Sequence, residues 1–145
     1  MINIKGCEIK MEEKLLNEWQ ERLGLTDWAI VLKCNCNLDE MELDNSAGET
    51  RWTNCNKTAI IRIMSKENYG NDRILAFDFE RILVHELLHI KFSYLQLENN
   101  TYESKVLDET IHQLIDDLAR AFVMTKRNQT KRKLNCKKVE KNNGI

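Results

Sequence analysis

The chain has 145 residues with a net charge of −1, and hydrophobic residues make up 42% of it. That length fits one domain. With 42% hydrophobic residues the chain is too apolar to be disordered, and with 31% charged residues and a mean hydropathy of −0.53 it is too polar for a membrane protein. The first residues lack the apolar core of a signal peptide and the five cysteines are an odd number, so we expect a cytoplasmic protein with reduced thiols.

The first half of the chain predicts a helix, a strand and a hairpin. Residues 8–23 place apolar side chains at helical spacing, and Gly24 follows as a stop signal. Residues 27–36 place Trp28, Ile30 and Leu32 on one face, as a half-buried strand does. Two short strands follow at 48–54 and 58–64, and the polar turn between them predicts a hairpin.

The second half predicts two long helices, which the complete absence of proline favours. Residues 76–94 are apolar on most sides and predict a largely buried helix. Residues 104–125 carry one apolar stripe, formed by Leu107, Ile111, Leu114, Leu118 and Phe122. We therefore expect an α+β fold with an N-terminal helix, a small three-stranded antiparallel or mixed sheet, a buried helix and a C-terminal helix.

The small net charge conceals a strong asymmetry along the chain. Eight of the 22 basic residues and one of the 23 acidic residues lie in 126–145, so this segment carries +7 and residues 1–125 carry −8. Chain ends rich in Lys and Asn seldom fold, so we expect a domain at 1–125 and a disordered basic tail at 126–145. Such a tail can also contact nucleic acid, although the interleaved aromatic residues typical of that function are missing.

The segment most informative about chemistry is HELLH at 85–89, inside the predicted buried helix. The i, i+4 spacing brings His85 and His89 onto one helix face, about 6 Å apart, where two imidazoles can bind one cation. Glu86 lies about 100° around the helix, so its carboxylate can reach a metal-bound water without being a ligand itself. The pattern predicts a Zn²⁺ site with Glu86 as the general base.

A zinc site of this kind needs a third protein ligand, which the following helix should supply. The chain has three histidines, and the remaining one, His112, lies on that helix. Ile115 and Ala119, three and seven residues after His112, can pack against the buried helix and so present His112 to the metal. Glu109 and Asp108 are acidic alternatives; Glu109 points nearly opposite to the apolar stripe, whereas Asp108 and His112 lie on its flank, and His112 is the preferred ligand. Asp116 lies one turn after His112 and can hydrogen-bond and orient a ligand imidazole.

With HELLH, the chain resembles the zincin metallopeptidases, and more narrowly the small metallopeptidases found in phages and related mobile elements. LGLTDWAIVL at 23–32, LVHELLH at 83–89 and HQLIDDLARAFV at 112–123 carry this resemblance, which covers most of residues 12–125. It implies a minimal zincin-like fold and a zinc-dependent peptidase that hydrolyses a peptide or protein substrate. It also implies that the strand at 59–64 forms a sheet edge able to bind an extended peptide by strand addition.

The third ligand departs from the pattern of the glutamate-type zincins. In those enzymes the ligand is often followed at +3 and +4 by an apolar residue and by Asp or Asn. His112, Ile115 and Asp116 fit this frame with histidine in place of glutamate. A peptidase also needs a group that stabilises the developing oxyanion, and the sequence does not choose among Tyr69, Tyr94, Tyr102 and Arg51.

A second function class is open to the same residues. A catalytically inactive module could retain the metal-stabilised zincin scaffold and contact a protein or nucleic acid through the basic tail. The cysteines offer a further metal site in principle, because Cys34, Cys36 and Cys55 can approach one another on the sheet. The fourth cysteine considered for such a site, Cys136, lies in the tail, so we expect ordinary free thiols. Neither the substrate nor the oligomeric state can be predicted.

Overall fold

The computed structural model describes residues 4–43, 46–70, 73–95 and 102–142. Within these ranges the fold is α+β, as the sequence predicts. The elements are α1 (Ile4–Leu23), β1 (Ala29–Cys36), β2 (Gly48–Thr53), β3 (Thr58–Met64), α2 (Lys66–Tyr69), α3 (Phe79–Lys91) and α4 (Tyr102–Asn142), with 3-10 turns at Leu38–Glu40 and Ser93–Leu95. The short helix α2 and the two 3-10 turns were not predicted, because three or four residues are too few to show a helical period.

The three strands form one mixed sheet in the order β1-β3-β2. The predicted hairpin is confirmed, because β2 pairs antiparallel with β3. β1 pairs parallel with β3 on its other side. The expectation that 59–64 is an edge strand is therefore wrong, since β3 is central. Its residues Ile61 and Ile63 are completely buried, whereas the more polar β1 and β2 take the two edges, where charged side chains protect an open strand.

Helix α3 is the centre of the core, as its composition predicts. It contacts β2 and β3 on one side and α1 and α4 on others. Leu83, Val84 and Leu87 are completely buried. The helix begins after Asp78, whose carboxylate accepts a hydrogen bond from the backbone N–H of Arg81 at 3.2 Å, so it starts three residues later than the predicted position 76.

The buried face of α4 differs from the predicted apolar stripe. Ile111, Ile115, Ala119 and Val123 form the row that is buried in the core. Of the predicted stripe, Ile111 is buried and Leu118 is partly buried against the core, while Leu107, Leu114 and Phe122 are exposed. The difference arises because α4 packs through a row of residues spaced by four, the ridge that commonly fits the groove of a neighbouring helix.

The basic segment expected to be a disordered tail is helical as far as Asn142, without a break at residue 126. Lys, Arg and Gln are good helix formers, and the chain has neither Gly nor Pro between Tyr102 and Gly144. From Arg127 to Lys138 every side chain is exposed, so the helix runs on beyond the core. Among the described residues, no helix combines the length and the apolar composition needed to cross a bilayer.

A cluster of charged residues fastens α4 to the start of α3. Arg127 donates two hydrogen bonds of 2.8 Å to the carboxylate of Asp78. Lys126 pairs with Glu80 at 2.5 Å and with Glu18 of α1 at 2.9 Å. The hydrogen bonds from Arg127 hold the pKa of Asp78 below its usual value. The first two basic residues of the tail therefore belong to the folded domain.

We expect Asp78→Asn to weaken this contact while keeping an oxygen that can cap α3. Because pairing lowers the pKa of Asp78, its stabilisation is complete above the ordinary value of 3.8 and is lost as the pH falls through the lower folded-state value. At pH 7 the variant should lose about 0.5 to 1 kcal/mol of unfolding free energy. Urea denaturation at several pH values measures the difference from wild type.

The matched control is Asp117→Asn on the exposed face of α4, which should leave stability unchanged at each pH. The difference in unfolding free energy between wild type and Asp78→Asn should disappear as the pH falls below 3.8. A gap that stays constant or widens on acidification would show that Asp78 does not act through its charge.

Candidate metal centre

The three histidines of the chain come together between α3 and α4. His85 and His89 lie one turn apart on α3, and His112 faces them from α4. The ring centroids are 4.9 Å apart for His85 and His89, 4.9 Å for His85 and His112, and 5.3 Å for His89 and His112. One ligand nitrogen from each ring lies within 4.8 Å of the other two. The fold thus assembles the set that the sequence predicts.

The two imidazoles on α3 are in the form that can bind a metal ion. Burial is the main cause that lowers the pKa of His85, and burial lowers the pKa of His89 to about 4. Both rings are therefore neutral at pH 7, and a neutral imidazole has a free lone pair for coordination. His112 is exposed at the rim of the site.

Asp116 holds the ring of His85 in one orientation. Its Oδ1 lies 3.0 Å from Nδ1 of His85, the contact expected from the sequence. When Nδ1 carries the proton and donates it to this carboxylate, Nε2 presents its lone pair on the other side of the ring. That Nε2 lies 3.1 Å from Nε2 of His89, so the two nitrogens converge on one point.

The triad approaches the geometry of a zinc site. A tetrahedral zinc ion holds nitrogen ligands at about 2.0 to 2.1 Å, which places two of them about 3.3 to 3.4 Å apart. The nitrogen pair on α3 is close to this separation at 3.1 Å, and the three ligand nitrogens lie within 4.8 Å of one another. The exposed His112 would have to move toward the other two rings by up to about 1.4 Å to complete the set. Three histidines also leave a fourth position open, as catalytic zinc sites require.

Glu86 is buried beside the triad, and its carboxylate is not part of the group of side chains placed to hold a metal ion. Only 5% of the residue is exposed. Thr50 on β2 donates a hydrogen bond of 2.6 Å to Oε2 of Glu86. Burial raises the pKa of Glu86 to about 7, although the Thr50 hydroxyl acts in the opposite direction. The carboxylate is therefore poised to exchange a proton near neutral pH.

The strand β2 approaches Glu86 so closely that position 48 has no space for a side chain. A Cβ atom on Gly48 would lie 2.7 Å from Oε1 of Glu86 and 2.8 Å from Cγ2 of Ile82. Both distances are shorter than ordinary van der Waals contact. The glycine thus permits the backbone of β2 to form one wall of the site directly against α3.

The triad and Glu86 open into a cleft of about 580 Å³. One wall consists of Leu43, residues 46–50 and Trp52, and Arg81 and Asp116 lie on the helical side. Tyr69 and Arg73 contribute the far end, where the guanidinium carbon of Arg73 lies 4.6 Å from the centre of the Tyr69 ring. The cleft therefore has both basic and aromatic groups within it.

Of the oxyanion candidates whose side chains the structure describes, Tyr69, Tyr94 and Arg51, only Tyr69 lines the cleft. Its hydroxyl donates to the carbonyl of Leu75 at 2.8 Å. Arg51 is exposed and pairs with Glu42, and Tyr94 is 66% exposed and does not line the cleft. The side chain of Tyr102 lies outside the described residues.

Sequence reasoning missed Thr50, Arg73 and Arg81 as cleft residues. Arg81 had a detectable signal, because it lies four residues before His85 and shares that face of α3. Thr50 had none, since its contact with Glu86 joins residues 36 positions apart.

The acidic alternatives for the third ligand lie elsewhere. Asp108 and Glu109 are exposed, and Glu109 lines a separate shallow depression on α4 with Gln113 and Leu114. Cys34, Cys36, Cys55 and Cys136 are free thiols. Within the part of the chain that the structure describes, the histidine triad is the group of His, Cys, Asp or Glu side chains placed to hold a metal ion.

No protein-family model matches this chain, and no curated protein or solved structure matches it either. The resemblance to the zincin metallopeptidases stays a prediction that rests on HELLH and the segments around it.

We expect Gly48→Ala to lower the free energy of unfolding by about 1 to 3 kcal/mol, because the added methyl group overpacks the contact between β2 and α3. Thr53→Ala, at the exposed end of the same strand, should change it little. Denaturant titration of both variants measures this.

Combining Gly48→Ala with Glu86→Ala tests the cause. Removing the Glu86 side chain relieves part of the clash, so the double variant should be more stable than the sum of the single effects predicts. Strict additivity would show that the methyl group does not press on Glu86.

Proposed function

We propose that the protein is a zinc-dependent peptidase whose site is the cleft between β2, α3 and α4. One observation supports this above all: three imidazole nitrogens within 4.8 Å of one another share a cleft with a buried glutamate that is held apart from them. A structural metal site has no need of the glutamate or of an open cleft beside its ligands.

His85, His89 and His112 would hold the ion. A bound zinc ion would supply Lewis-acid polarisation of a substrate carbonyl and acidify a water molecule. Asp116 keeps the ring of His85 oriented through their contact of 3.0 Å. The burial that keeps His85 and His89 unprotonated at neutral pH favours occupation of the site, because a proton and a metal ion compete for the same nitrogen.

Glu86 acts as the general base. Its carboxylate takes a proton from water as that water attacks the peptide carbonyl, and it later returns the proton to the departing amine. The hydrogen bond from Thr50 fixes one oxygen, Oε2, and leaves Oε1 to receive the proton. Burial raises the pKa of Glu86 to about 7 in the metal-free protein, and the charge of a bound zinc ion would lower it toward the ionised form that a general base needs.

The substrate is an extended polypeptide. The edge strand beside the cleft is β2, and its residues Thr50 and Trp52 line the cleft wall. A peptide that adds to the open edge of β2 would pass beside Glu86 with its backbone hydrogen-bonded to the strand. Strand addition, first expected at 59–64, is thus reassigned to β2, which has a free edge.

Hydrolysis should depend on Glu86. We expect Glu86→Gln to retain stoichiometric zinc, measured by metal mass spectrometry, and to lose at least about 100-fold in cleavage rate, because the amide cannot accept the proton. Because no substrate is specified, the cleavage rate is measured as the release of peptides from a cell lysate by wild type and by the variant. Glu67→Gln, an exposed change away from the cleft, is the control. Zinc-loaded wild type that releases no more peptides than Glu86→Gln would refute the enzymatic proposal.

The third ligand should be His112. We expect His112→Ala to weaken zinc binding by several orders of magnitude and to remove the thermal stabilisation that zinc gives, because metal binding and folding are coupled. Glu109→Ala should change neither property. Asp116→Ala should weaken binding or activity about 10- to 100-fold, since the ligands remain but His85 can rotate. Zinc titration measured by calorimetry would contradict this assignment if Glu109→Ala lost the metal and His112→Ala kept it.

A further inference from the structure

The exposed end of α4 carries its charge mainly on one side. Beyond Arg127, the described basic side chains are Lys131, Arg132, Lys133, Lys137 and Lys138, all exposed. At 100° per residue, the four lysines fall within an arc of about 160°. We call these four residues the basic face of α4. No ion pair is found for any of them among the described residues.

The opposite side of this helical end is polar and uncharged apart from Arg132. Asn128, Gln129 and Asn135 lie there with Cys136, and all are exposed. A helix that lies in a membrane surface needs large apolar side chains opposite its basic residues. Amide side chains do not enter the apolar layer, so the composition of this helix argues against a lipid surface.

The form of the charged element restricts the kind of nucleic acid. Proteins that bind single strands stack bases on aromatic rings, and residues 126–145 contain no aromatic residue. An α-helix about 10 to 12 Å across fits the major groove of B-form DNA, which is about 12 Å wide. The corresponding groove of duplex RNA is too deep and narrow for side chains to read.

We propose that the exposed end of α4 binds double-stranded DNA through the phosphate backbone, with the basic face of α4 along the groove wall. Four lysines on one side of the helix can contact phosphates together. The domain at residues 1–125 carries −8 and is repelled by phosphate, so contact is confined to the helical end. This site is separate from the cleft and does not depend on peptidase activity.

Fluorescence anisotropy with a labelled 20-base-pair duplex tests the proposal on the full chain at several salt concentrations. The test variant changes Lys131, Lys133, Lys137 and Lys138 to Gln. We expect it to bind at least about tenfold more weakly at low salt and to reduce the slope of log K against log salt by about 3 to 4, one phosphate contact for each lysine. The test residues are exposed and lie beyond the core, so the variant retains the fold.

The matched control changes Lys14, Lys33, Lys66 and Lys105 to Gln. These lysines are exposed and lie outside the helical end, and their removal alters the net charge by the same amount. The control should keep most of the affinity. Equal losses in both variants, or no binding by wild type at low salt, would overturn the proposal. Tighter binding to a single-stranded oligonucleotide, to duplex RNA or to vesicles containing phosphatidylserine would also overturn it.

A second variant separates the effect of helical structure on DNA binding from the effect of charge. Asn135→Pro retains every basic residue but interrupts the helix among the four lysines. We expect it to weaken duplex binding severalfold relative to Asn135→Ala, with the helical loss confirmed by circular dichroism. If both Asn135 variants bind equally well, the charges act without helical order, and the groove-binding geometry is wrong.

Discussion

The backbone of β2 and the side chains of α3 meet at Gly48 with no space between them for even a methyl group. This contact brings the edge of the sheet beside Glu86 and lets Thr50 reach its carboxylate. The same packing removes water from Glu86, which raises its pKa to about 7. The position of β2, the pKa of Glu86 and the shape of the cleft thus all depend on the close contact between Gly48 and α3.

The remaining half of the site depends on the register of α4 against α3. His112 reaches the two histidines of α3 because the next positions on its helix, Ile115 and Ala119, are completely buried in the core. Farther along, Arg127 and Lys126 bind the first residues of α3. An apolar row and a charged cluster therefore limit sliding of α4, and the metal-binding geometry is maintained by residues that touch no metal.

Local patterns predicted what local interactions determine. HELLH places two imidazoles on one face through helical geometry alone, and the hairpin requires only neighbouring strands. Strand order was not predictable in this way, because it depends on which strand pairs with a neighbour along both of its edges. In this sheet that central strand is β3. The apolar stripe predicted on α4 was wrong at Leu114 for the same reason, since Leu114 and Ile115 are equally apolar and only contact with the neighbouring helix determines which of them is buried.

The candidate site was predictable to the extent that its residues are histidines or lie close to HELLH. Asp116 followed from its spacing to His112, and its contact with His85 agrees with that expectation. Thr50 and Arg73 are ordinary residues in sequence, and their place in the cleft results from tertiary packing. Residues 126–142 were predicted to be disordered, but they are helical. Their lack of apolar periodicity indicates exposure, and exposure alone does not prevent a proline-free basic segment from forming a helix.

The separation of charge has a consequence for how the whole molecule behaves in an electric field. Residues 1–125 carry −8 and residues 126–145 carry +7. The helix places Lys138 about 22 Å beyond Val123, the last residue of α4 that is buried among those whose side chains the structure describes. The protein is therefore a large electric dipole with almost no net charge. At low ionic strength it should bind to anion-exchange resin through the acidic residues 1–125 and to cation-exchange resin through the basic residues 126–145. It should do so despite an isoelectric point of about 6.3.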